Sequence, residues 1–410
     1  MRVKGFCAWR PAADRAEEVA SVPYDVVNRE QAKALAQGNP NSFLHVVRAE
    51  IGLPDTVDIY ADEVYATALK NLTRFQEEGI LIREEEPSVY LYSQRMGEHV
   101  QYGIVAGCHI EDYEEGHIKI HEKTRRLKEE DRIRYVDTQN ANTGPVFLAY
   151  RDSAAIQAEV DRVKQTQPLY HFTASDGVEH TVWRFEETAS IEEGFAAISA
   201  LYVADGHHRS ASAAKVGAKR RAANPAHTGN ESYNYFLSVL FPESELNILA
   251  YNRVVLSLPD SVDAFREALS AAFTIEANGV DTPREAGEMC MYLEGSWNTL
   301  RPRQQPDVSD PVAQLDVSIL QQQVLAPILG IEDPRESDNI DFIGGIKGTK
   351  ELERWVDSGE AAVAFSLYPT SMAQLFAVAD AGMLMPPKST WFEPKLRSGL
   401  LVHTLDEPHR

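Results

Sequence analysis

The sequence is poor in cysteine and has no long apolar run. Three cysteines, Cys7, Cys108 and Cys290, stand far apart among its 410 residues, which argues against a disulfide framework and against a CxxC metal site. No run reaches the roughly 18 apolar residues that a membrane-spanning helix needs, and residues 1–11 contain no apolar core of signal-peptide length. These absences predict a cytoplasmic protein with reduced thiols and no membrane partner.

Basic side chains are also scarce. The chain has 40 lysines and arginines against 62 aspartates and glutamates, which gives a net charge of −22. Sequence-independent nucleic-acid binding needs a basic surface, so we expect no nucleic-acid partner. If such an acidic protein binds phosphate, it has to concentrate its few cations in one place. Clusters of Lys, Arg and His therefore indicate where a binding site would be.

One such cluster follows a short apolar stretch in the middle of the chain. Residues 201–204 are apolar and partly β-branched, as in a buried strand, and the alanine-rich residues 210–223 favour a helix. The Asp-Gly pair at 205–206 is a turn signal. The two histidines and the arginine at 207–209 are therefore predicted to lie where a strand ends and a helix begins.

A strand-to-helix junction of this kind can bind an anion, because free N–H groups and the positive end of the helix dipole lie there. Gly206 lets the backbone approach a ligand closely, and Arg209 can bind phosphate oxygens bidentately. His207 and His208 can donate protons or hydrogen bonds. The alternative is a structural turn in which Asp205 caps the helix. We favour the anion site, because four polar functional groups follow the strand within five residues.

The most charged stretch, residues 116–134, mixes both signs. His117 and His121 are four apart, as two metal ligands on a helix can be. The HExxH pattern is absent and no third ligand can be named, so we assign no metal ligands. One interpretation of the stretch is a solvated helix with i,i+4 ion pairs. The other takes Glu122 as a general base or a magnesium ligand, with Arg132 among the cations on the phosphate side.

A proline near the start of the chain keeps its neighbours out of helices. Pro23 confines the preceding backbone to extended conformations, so Tyr24 and Asp25 are expected in an edge or a loop. Asp25 is either a structural turn residue or a polar group that contributes to the site.

Residues 385–395 contain three prolines, which favour a rigid, non-helical loop. Lys388, Ser389, Thr390 and Lys395 could project from this loop towards phosphate. A rigid surface turn is the alternative. The GxxxxGK[ST] pattern of a Walker A loop is absent.

The remaining periodicity predicts a mixed α/β fold, of the α+β kind. Residues 58–78 have helical spacing, residues 43–48 alternate as a strand does, and residues 88–92 and 103–110 have a hairpin pattern. From residue 340 onward, strands and helices alternate, which indicates a C-terminal α/β layer.

Five segments of the chain resemble an uncharacterised prokaryotic family, domain-of-unknown-function family ten-fifteen. They are VPYDVV at 22–27, NSFLHV at 41–46, HEKT at 121–124, DGHHR at 205–209 and MPPKSTWFEPK at 385–395. The Asp-Gly-His-His-Arg run after a strand also resembles the phosphate-binding motif of the ParB/sulfiredoxin superfamily, and it is similar to that of the free-serine kinases.

The resemblance implies a ParB/sulfiredoxin-like core with elaborations. Residues 1–245 would form the nucleotide-binding region, and residues 246–410 would form a C-terminal α/β region that returns to the site through 385–399. It also implies a nucleotide-dependent phosphotransferase that uses ATP or ADP with Mg²⁺. The substrate would be a small hydroxylated metabolite, with free serine the first to try.

The resemblance also assigns roles. These are catalysis by Glu122, Asp205, His207 and His208; nucleotide binding by Gly206, Arg209, Lys388, Ser389, Thr390 and Lys395; and substrate binding by Tyr24 and Asp25. A nucleotide hydrolase, or a nucleotide-binding regulatory protein of the ParB-like superfamily, is the alternative. A sulfiredoxin-like reductase is not favoured, because the sulfiredoxin motif carries a cysteine where His207 stands. The sequence leaves the oligomeric state open, a homo-oligomer included.

Overall fold

The structure is a computed structural model, and it describes residues 1–406. The chain divides into two compact units. The first unit combines Met1–Leu246 with the segment that begins at Pro394, and the second unit is Asn247–Glu393. Residues 407–410, the end of the predicted C-terminal region, lie outside the described residues.

The strands are short, and they are distributed over both units. In chain order they are β1 Val3–Lys4, β2 Trp9–Pro11, β3 Leu81–Arg83, β4 Tyr90–Met96, β5 His99–His109, β6 Ile118–Lys119, β7 Ala141–Asn142, β8 Val146–Tyr150, β9 Tyr170–Thr173, β10 Glu179–Arg184, β11 Leu201–Asp205, β12 Tyr235–Pro242, β13 Ile248–Leu249, β14 Tyr251–Val255, β15 Phe273–Ala277, β16 Met289–Leu293, β17 Ser296–Pro302, β18 Ile340–Gly344, β19 Val363–Leu367, β20 Trp391–Phe392 and β21 His403–Thr404.

The α-helices are likewise distributed over both units. They are α1 Ala16–Val19, α2 Arg29–Ala36, α3 Leu44–Val47, α4 Asp62–Glu77, α5 Ile110–Glu114, α6 Arg126–Gln139, α7 Ala154–Val163, α8 Ala189–Ala196, α9 His207–Ala223, α10 Val262–Ala272, α11 Asp316–Leu320, α12 Gly348–Asp357 and α13 Met372–Asp380. None of the helices in residues 1–406 is both long and apolar enough to cross a membrane.

A large mixed sheet forms the centre of the first unit. Its strand order is β6-β11-β8-β12-β5-β4-β10-β9, and β1 pairs with β5 at one side. The pairs β11–β6 and β12–β8 are parallel and the others are antiparallel. The predicted mixed α/β class is thereby confirmed. In the β11–β8 pair the register shifts between Val203 and Asp205, so the ladder is irregular where the predicted site begins.

The two faces of this sheet are covered differently. Helices α5, α7, α8 and α9 contribute apolar side chains to one buried cluster with the central strands. On β4, Leu91 belongs to that cluster, whereas its neighbours Tyr92 and Gln94 alternate with it and point the other way. There the amide of Gln94 donates a 2.9 Å hydrogen bond to the carbonyl of Lys395. The segment from Pro394 onward therefore covers the second face.

The second unit is built on a six-stranded sheet with the order β15-β17-β16-β19-β14-β18. Every pairing in it is antiparallel. Leu352 of α12 is fully buried against Val254, Ile343 and Ala364 of the sheet. The alternation of strands and helices predicted from residue 340 onward is thus present, and its strands join an antiparallel sheet.

Most predicted elements are present, but one short strand is wrong. The hairpin of β4 and β5 turns at Gly97, and α4 occupies most of the predicted 58–78 helix. Residues 43–48, predicted as a strand, instead contain helix α3. The buried residues there, Phe43, Leu44, Val46 and Val47, are also spaced one turn apart, so helical and strand periods cannot be told apart over so short a run.

Candidate functional site

The junction of β11 and α9 has the predicted strand–turn–helix form, but the helix begins earlier than predicted. Strand β11 ends at Asp205 and α9 begins at His207, three residues before the expected start. Gly206 is the N-cap and no side chain caps the helix, so Asp205 does not play the capping role. The first N–H groups of a helix have no acceptor within it, so the start of α9 directs backbone donors towards a ligand.

Gly206 is needed at this turn for two reasons. Its φ is +96°, a backbone conformation that other residues rarely adopt. A Cβ atom here would also lie 3.1 Å from Cζ and Nε of Arg209. A side chain at residue 206 would therefore strain the backbone and require the guanidinium of Arg209 to shift by a few tenths of an ångström.

Arg209 is a buried cation in a largely polar setting. Its guanidinium donates to the carbonyl of Pro145, and Nη2 lies 3.5 Å from both Asp25 Oδ2 and Asp205 Oδ1. Within residues 1–406 its Nε has no hydrogen-bond partner. Burial disfavours the charged form, but the carboxylates of Asp25 and Asp205 outweigh burial and raise the pKa of Arg209.

Asp205 joins two cations. Its Oδ2 lies 3.2 Å from Nζ of Lys395, and its Oδ1 faces Arg209. Burial would raise the pKa of Asp205, but the charges of Lys395 and Arg209 are stronger and lower it. A carboxylate held ionised in this way accepts a proton poorly at neutral pH. It is better suited to positioning the two cations.

The two histidines of the motif point to different neighbours. The ring of His207 packs edge-on against that of His121, with 4.5 Å between ring centroids, and within residues 1–406 the buried Nε2 of His207 has no hydrogen-bond partner. His208 Nε2 accepts a 3.0 Å hydrogen bond from the backbone N–H of Arg125. Burial lowers the pKa of both motif histidines and lowers that of His121 to about 4. All three rings are therefore neutral at pH 7.

The HEKT segment lies beside the junction, but not on the predicted helix. Strand β6 precedes His121, and α6 begins only at Arg126, so His117 and His121 do not share a helix. Glu122 is partly exposed and directly follows the histidine that packs on His207. Thr124 Oγ1 donates a 2.6 Å hydrogen bond to Glu129. Within residues 1–406 no three His, Cys, Asp or Glu side chains cluster as a metal ion would require.

Tyr24 and Asp25, from near the start of the chain, lie beside Arg132 and Arg209. Tyr24 is buried, and its ring lies 3.8 Å from Cζ of Arg132, which also lies 4.0 Å from the ring of Tyr135. Nη2 of Arg132 is paired with Asp131 at 2.5 Å. Burial and the charge of Asp25 raise the pKa of Tyr24, so its phenol stays protonated.

Two small cavities open beside these residues. One of about 70 Å³ is lined by a mixture of cationic and acidic side chains. Its charged lining residues are Asp25, Arg48, Glu50, Lys128, Asp131 and Arg132. A second cavity, of about 30 Å³, lies between Tyr24, Thr143, Gly144, Arg209 and Ser398. The first cavity offers both signs of charge to a small ligand.

Lys395 belongs to the first unit and is fixed there by its neighbours. The backbone of Ser398 pairs with that of Ser21 through hydrogen bonds of 3.1 and 2.9 Å. The buried Arg397 donates to Nε2 of His180 at 3.2 Å, and burial together with this arginine lowers the pKa of His180 to about 3. Arg397 and Ser398 lie within the 385–399 segment that was predicted to return to the site, although no individual role was assigned to either of them.

Lys388, Ser389 and Thr390 belong to the second unit. Ser389 is buried, and its hydroxyl donates a 2.6 Å hydrogen bond to the carbonyl of Pro386. Arg253, also buried, donates to the carbonyls of Pro387 and Lys388 at 3.2 and 2.9 Å. The loop is therefore non-helical and held by hydrogen bonds, while its rigidity and its roles in nucleotide binding stay predictions.

Of the predicted site residues, the structure thus brings Tyr24, Asp25, Asp205–Arg209 and Lys395 together in the first unit. Glu122 lies next to His121, which contacts this group. Sequence reasoning missed the carbonyl of Pro145 and the carboxylate of Asp131. No sequence pattern indicates either group, because each contributes to the site only through the arginine that it contacts in the fold.

Comparison with known proteins gives one family and several distant structures. Residues 3–318 match a family model described as "Protein of unknown function (DUF1015)". No curated protein matches. Among solved structures, the chain is similar to a free serine kinase in complex with AMP, at 13% identity over 72% of this chain and 92% of that chain, with a TM-score of 0.36.

Two further solved structures are similar to the same extent. SbnI with a C-terminal truncation, from Staphylococcus aureus, is 15% identical over 74% of this chain and 87% of that chain, with a TM-score of 0.40. A conserved hypothetical protein from Pyrococcus furiosus is 14% identical over 72% of this chain and 95% of that chain, with a TM-score of 0.34.

Proposed function

Since the chain belongs to the DUF1015 family, whose description leaves the activity open, we propose that it is a nucleotide-dependent phosphotransferase acting on a small hydroxylated metabolite. One observation carries the proposal: an uncapped helix N-terminus, the buried Arg209 and the Lys395–Asp205 ion pair come together in the first unit. Phosphoryl transfer depends mainly on positioning and on neutralising phosphate charge, and this arrangement supplies donors and cations for both.

The donors that would hold phosphate are the ones that lack partners. The first N–H groups of α9 have no acceptor within the helix, and Nε of Arg209 and Nε2 of His207 have no hydrogen-bond partner in the described part of the chain. Burial is costly for such groups unless something binds them. A phosphate group would accept from all of them, with neutral His207 as a hydrogen-bond donor rather than a cation.

We assign Glu122 as the general base that takes the proton of the acceptor hydroxyl. Asp205 is the other candidate, but its ion pairs with Lys395 and Arg209 lower its pKa and occupy its oxygens. Glu122 is partly exposed and next to His121. In this assignment Asp205 positions the two cations, and the carboxylate of Glu122 takes the proton.

The acceptor would bind at Tyr24 and Asp25. The adjoining cavity of about 70 Å³ suits a small molecule, and its arginines and carboxylates would pair with the carboxylate and the ammonium group of an amino acid. Free serine is the first acceptor to test, because residues 205–209 resemble the motif of the free-serine kinases.

ATP or ADP is the proposed phosphoryl donor, with Mg²⁺. Mg²⁺ is usually held by one or two carboxylates together with substrate phosphates rather than by a complete protein cage. This fits a site with Asp25 and Glu122 nearby but without a cluster of three metal-ligating side chains in residues 1–406. Lys388, Ser389 and Thr390 are proposed as further phosphate contacts.

The test is phosphoserine formation. The protein is incubated with serine, Mg²⁺ and either ATP or ADP, and products are identified by mass spectrometry. Arg209→Lys keeps the charge but loses the forked donors, so turnover should fall by about two to three orders of magnitude. Arg162→Lys changes an exposed arginine of α7 that pairs with Glu159 and should leave turnover unchanged.

Each result has a clear meaning. Equal phosphoserine formation by Arg209→Lys and the wild type would contradict the proposed role of Arg209. Nucleotide breakdown without any phosphorylated acceptor would assign a hydrolase instead. Nucleotide binding with neither reaction would favour a regulatory protein.

A further inference from the structure

We propose that the nucleoside part of the nucleotide binds in a cavity on the face of α9 that begins at His208. The inference rests on the proposed function, since it concerns the same nucleotide. The cavity has a volume of about 510 Å³. Its walls come from α9 and from the segment that leads into α6, and they include Tyr113, Ile120, Glu129, Ala211, Ala214 and Lys215.

The cavity lies on the same face of α9 as His208. His208, Ala211, Lys215 and Ala218 are spaced by three, four and three residues, so they lie on one face of α9. The last three line the cavity, and His208 is in the first turn. At 1.5 Å per residue, His208 and Lys215 are separated by about 10 Å along the axis. A phosphate chain at the helix N-terminus would therefore enter the cavity within its own length.

Arg209 is the next residue after His208, but it lines a different cavity. It and Ser212 line the cavity of about 30 Å³ near Tyr24, so neighbouring residues of the motif face two separate spaces. Drug-sized and cofactor-sized ligands occupy pockets of about 300–1,000 Å³. The cavity on the His208 face lies in this range, whereas the cavities of about 30 and 70 Å³ do not. The larger ligand would thus lie on the His208 side and the acceptor on the Arg209 side.

Other cavities of similar size do not meet the helix. One of about 460 Å³ is lined by residues that include Met1, Lys4 and His109, and one of about 490 Å³ is lined by residues that include Lys33 and His45. No residue of α9 lines either of them. A nucleoside bound in them would not place its phosphates at His207–Arg209.

The chemistry of the walls suits a nucleoside. Tyr113, Ile120 and the alanines of α9 form an apolar surface for a base. Glu129 is buried at one side, accepting hydrogen bonds from Thr124 and Lys215. Carboxylates commonly accept from ribose hydroxyls in nucleotide sites, and Lys215 is largely exposed, so it can move away to admit the sugar.

The experiment is to fill the cavity without touching the anion site. Ala218→Trp projects an indole into it, and Ala223→Trp adds the same side chain at an exposed position on a different face of α9. Binding of ATP, ADP and tripolyphosphate is measured by calorimetry with Mg²⁺. We expect Ala218→Trp to raise the dissociation constants of ATP and ADP by about tenfold or more. The dissociation constant of tripolyphosphate should stay unchanged, because the indole would displace only the nucleoside. Ala223→Trp should bind all three as the wild type does.

The other outcomes separate the inference from the proposed function. Unchanged ATP binding by Ala218→Trp, or an equal loss in Ala223→Trp, would overturn the cavity assignment. So would loss of tripolyphosphate binding together with ATP. If the wild type binds tripolyphosphate but neither nucleotide, the anion site stands and the nucleoside site is wrong. If the wild type binds none of the three, the proposed function fails and the inference with it.

A second measurement does not depend on the folding of a variant. Wild-type protein is irradiated with 8-azido-ATP, and labelled peptides are identified by mass spectrometry. Labels are expected within residues 113–129 or 211–218. Labelling confined to other segments would overturn the assignment.

Discussion

Nζ of Lys395 lies 3.2 Å from Oδ2 of Asp205, and this ion pair joins residues 190 positions apart. Lys395 is held in place because Gln94 donates to its carbonyl and Ser398 pairs with Ser21. The C-terminal motif is thereby divided between the units. Lys395 contributes to the first unit, whereas Lys388 and its neighbours are held by Arg253 in the second.

Removing this lysine gives the first prediction. In Lys395→Gln, Asp205 keeps only Arg209 as a counter-ion, so its pKa rises and a cation is lost beside the phosphates. We expect phosphotransfer to slow by about two to three orders of magnitude, measured as initial rates of product formation. Lys219→Gln, which breaks the exposed pair between Lys219 of α9 and Asp137 of α6, is the control. Comparable rates in both variants would show that Lys395 has no part in the reaction.

The second prediction concerns the proposed base. Glu122→Gln keeps the shape of the side chain but cannot accept a proton, so turnover should fall by about two to four orders of magnitude. The residue is partly exposed, and the melting temperature should stay unchanged. Glu130→Gln, at an exposed position that pairs with Arg126, is the matched control. If Glu122→Gln retains full turnover, the proton goes elsewhere and Asp25 is the next carboxylate to test.

The strand and helix around the motif were predictable because their signals are local. An apolar run, an Asp-Gly turn and an alanine-rich stretch lie next to one another in sequence, and each acts through its own backbone. The helix start was wrong because His207–Arg209 were assigned to the loop as polar residues. A glycine at positive φ without a capping side chain permits the helix to begin directly after it.

The charge environment of the site was not predictable from sequence. Asp25 and Arg209 are separated by 184 positions, and only the tertiary fold brings them together. Arg209 is buried and bonded to the Pro145 carbonyl, and no local pattern in the sequence indicates either fact. The neutrality of the histidines likewise depends on burial, which single-sequence patterns do not specify.

The third prediction is a loss of stability in mild acid. Burial lowers the pKa of His121 to about 4, that of His180 to about 3, and also that of His207. Above the unfolded value of about 6.5 these groups are neutral in both states and contribute nothing. Below it the unfolded chain binds protons that the folded chain does not. Each histidine then lowers the free energy of unfolding by up to about 1.4 kcal/mol per pH unit until its folded pKa is reached.

Urea denaturation between pH 7.5 and 4.5 checks this slope. His180→Gln removes one of the three groups and should make the dependence on pH shallower, even though the variant is less stable at pH 7.5. His171→Gln changes an exposed histidine and should keep the wild-type slope. A wild-type stability that does not change between pH 6.5 and 4.5 would contradict the predicted burial of the neutral rings.

The last prediction separates two effects of Gly206. In Gly206→Ala, the new Cβ meets a positive φ and also comes within 3.1 Å of the Arg209 guanidinium. The backbone strain alone should lower the free energy of unfolding by about 1–2 kcal/mol. Gly116→Ala carries the same kind of strain, with φ at +77°, but has nothing within 4 Å of its Cβ.

Both variants should therefore lose similar stability in urea denaturation, and only Gly206→Ala should lose activity. Its added methyl group pushes Arg209 away from Asp25 and Asp205 and narrows the approach to the first turn of α9. We expect its turnover to fall by about two orders of magnitude or more, because the reaction slows sharply when a charge-neutralising group is out of position. If both alanine variants keep wild-type turnover, phosphate does not bind at this helix N-terminus. If both lose it equally, the loss follows from strain and not from the displaced arginine.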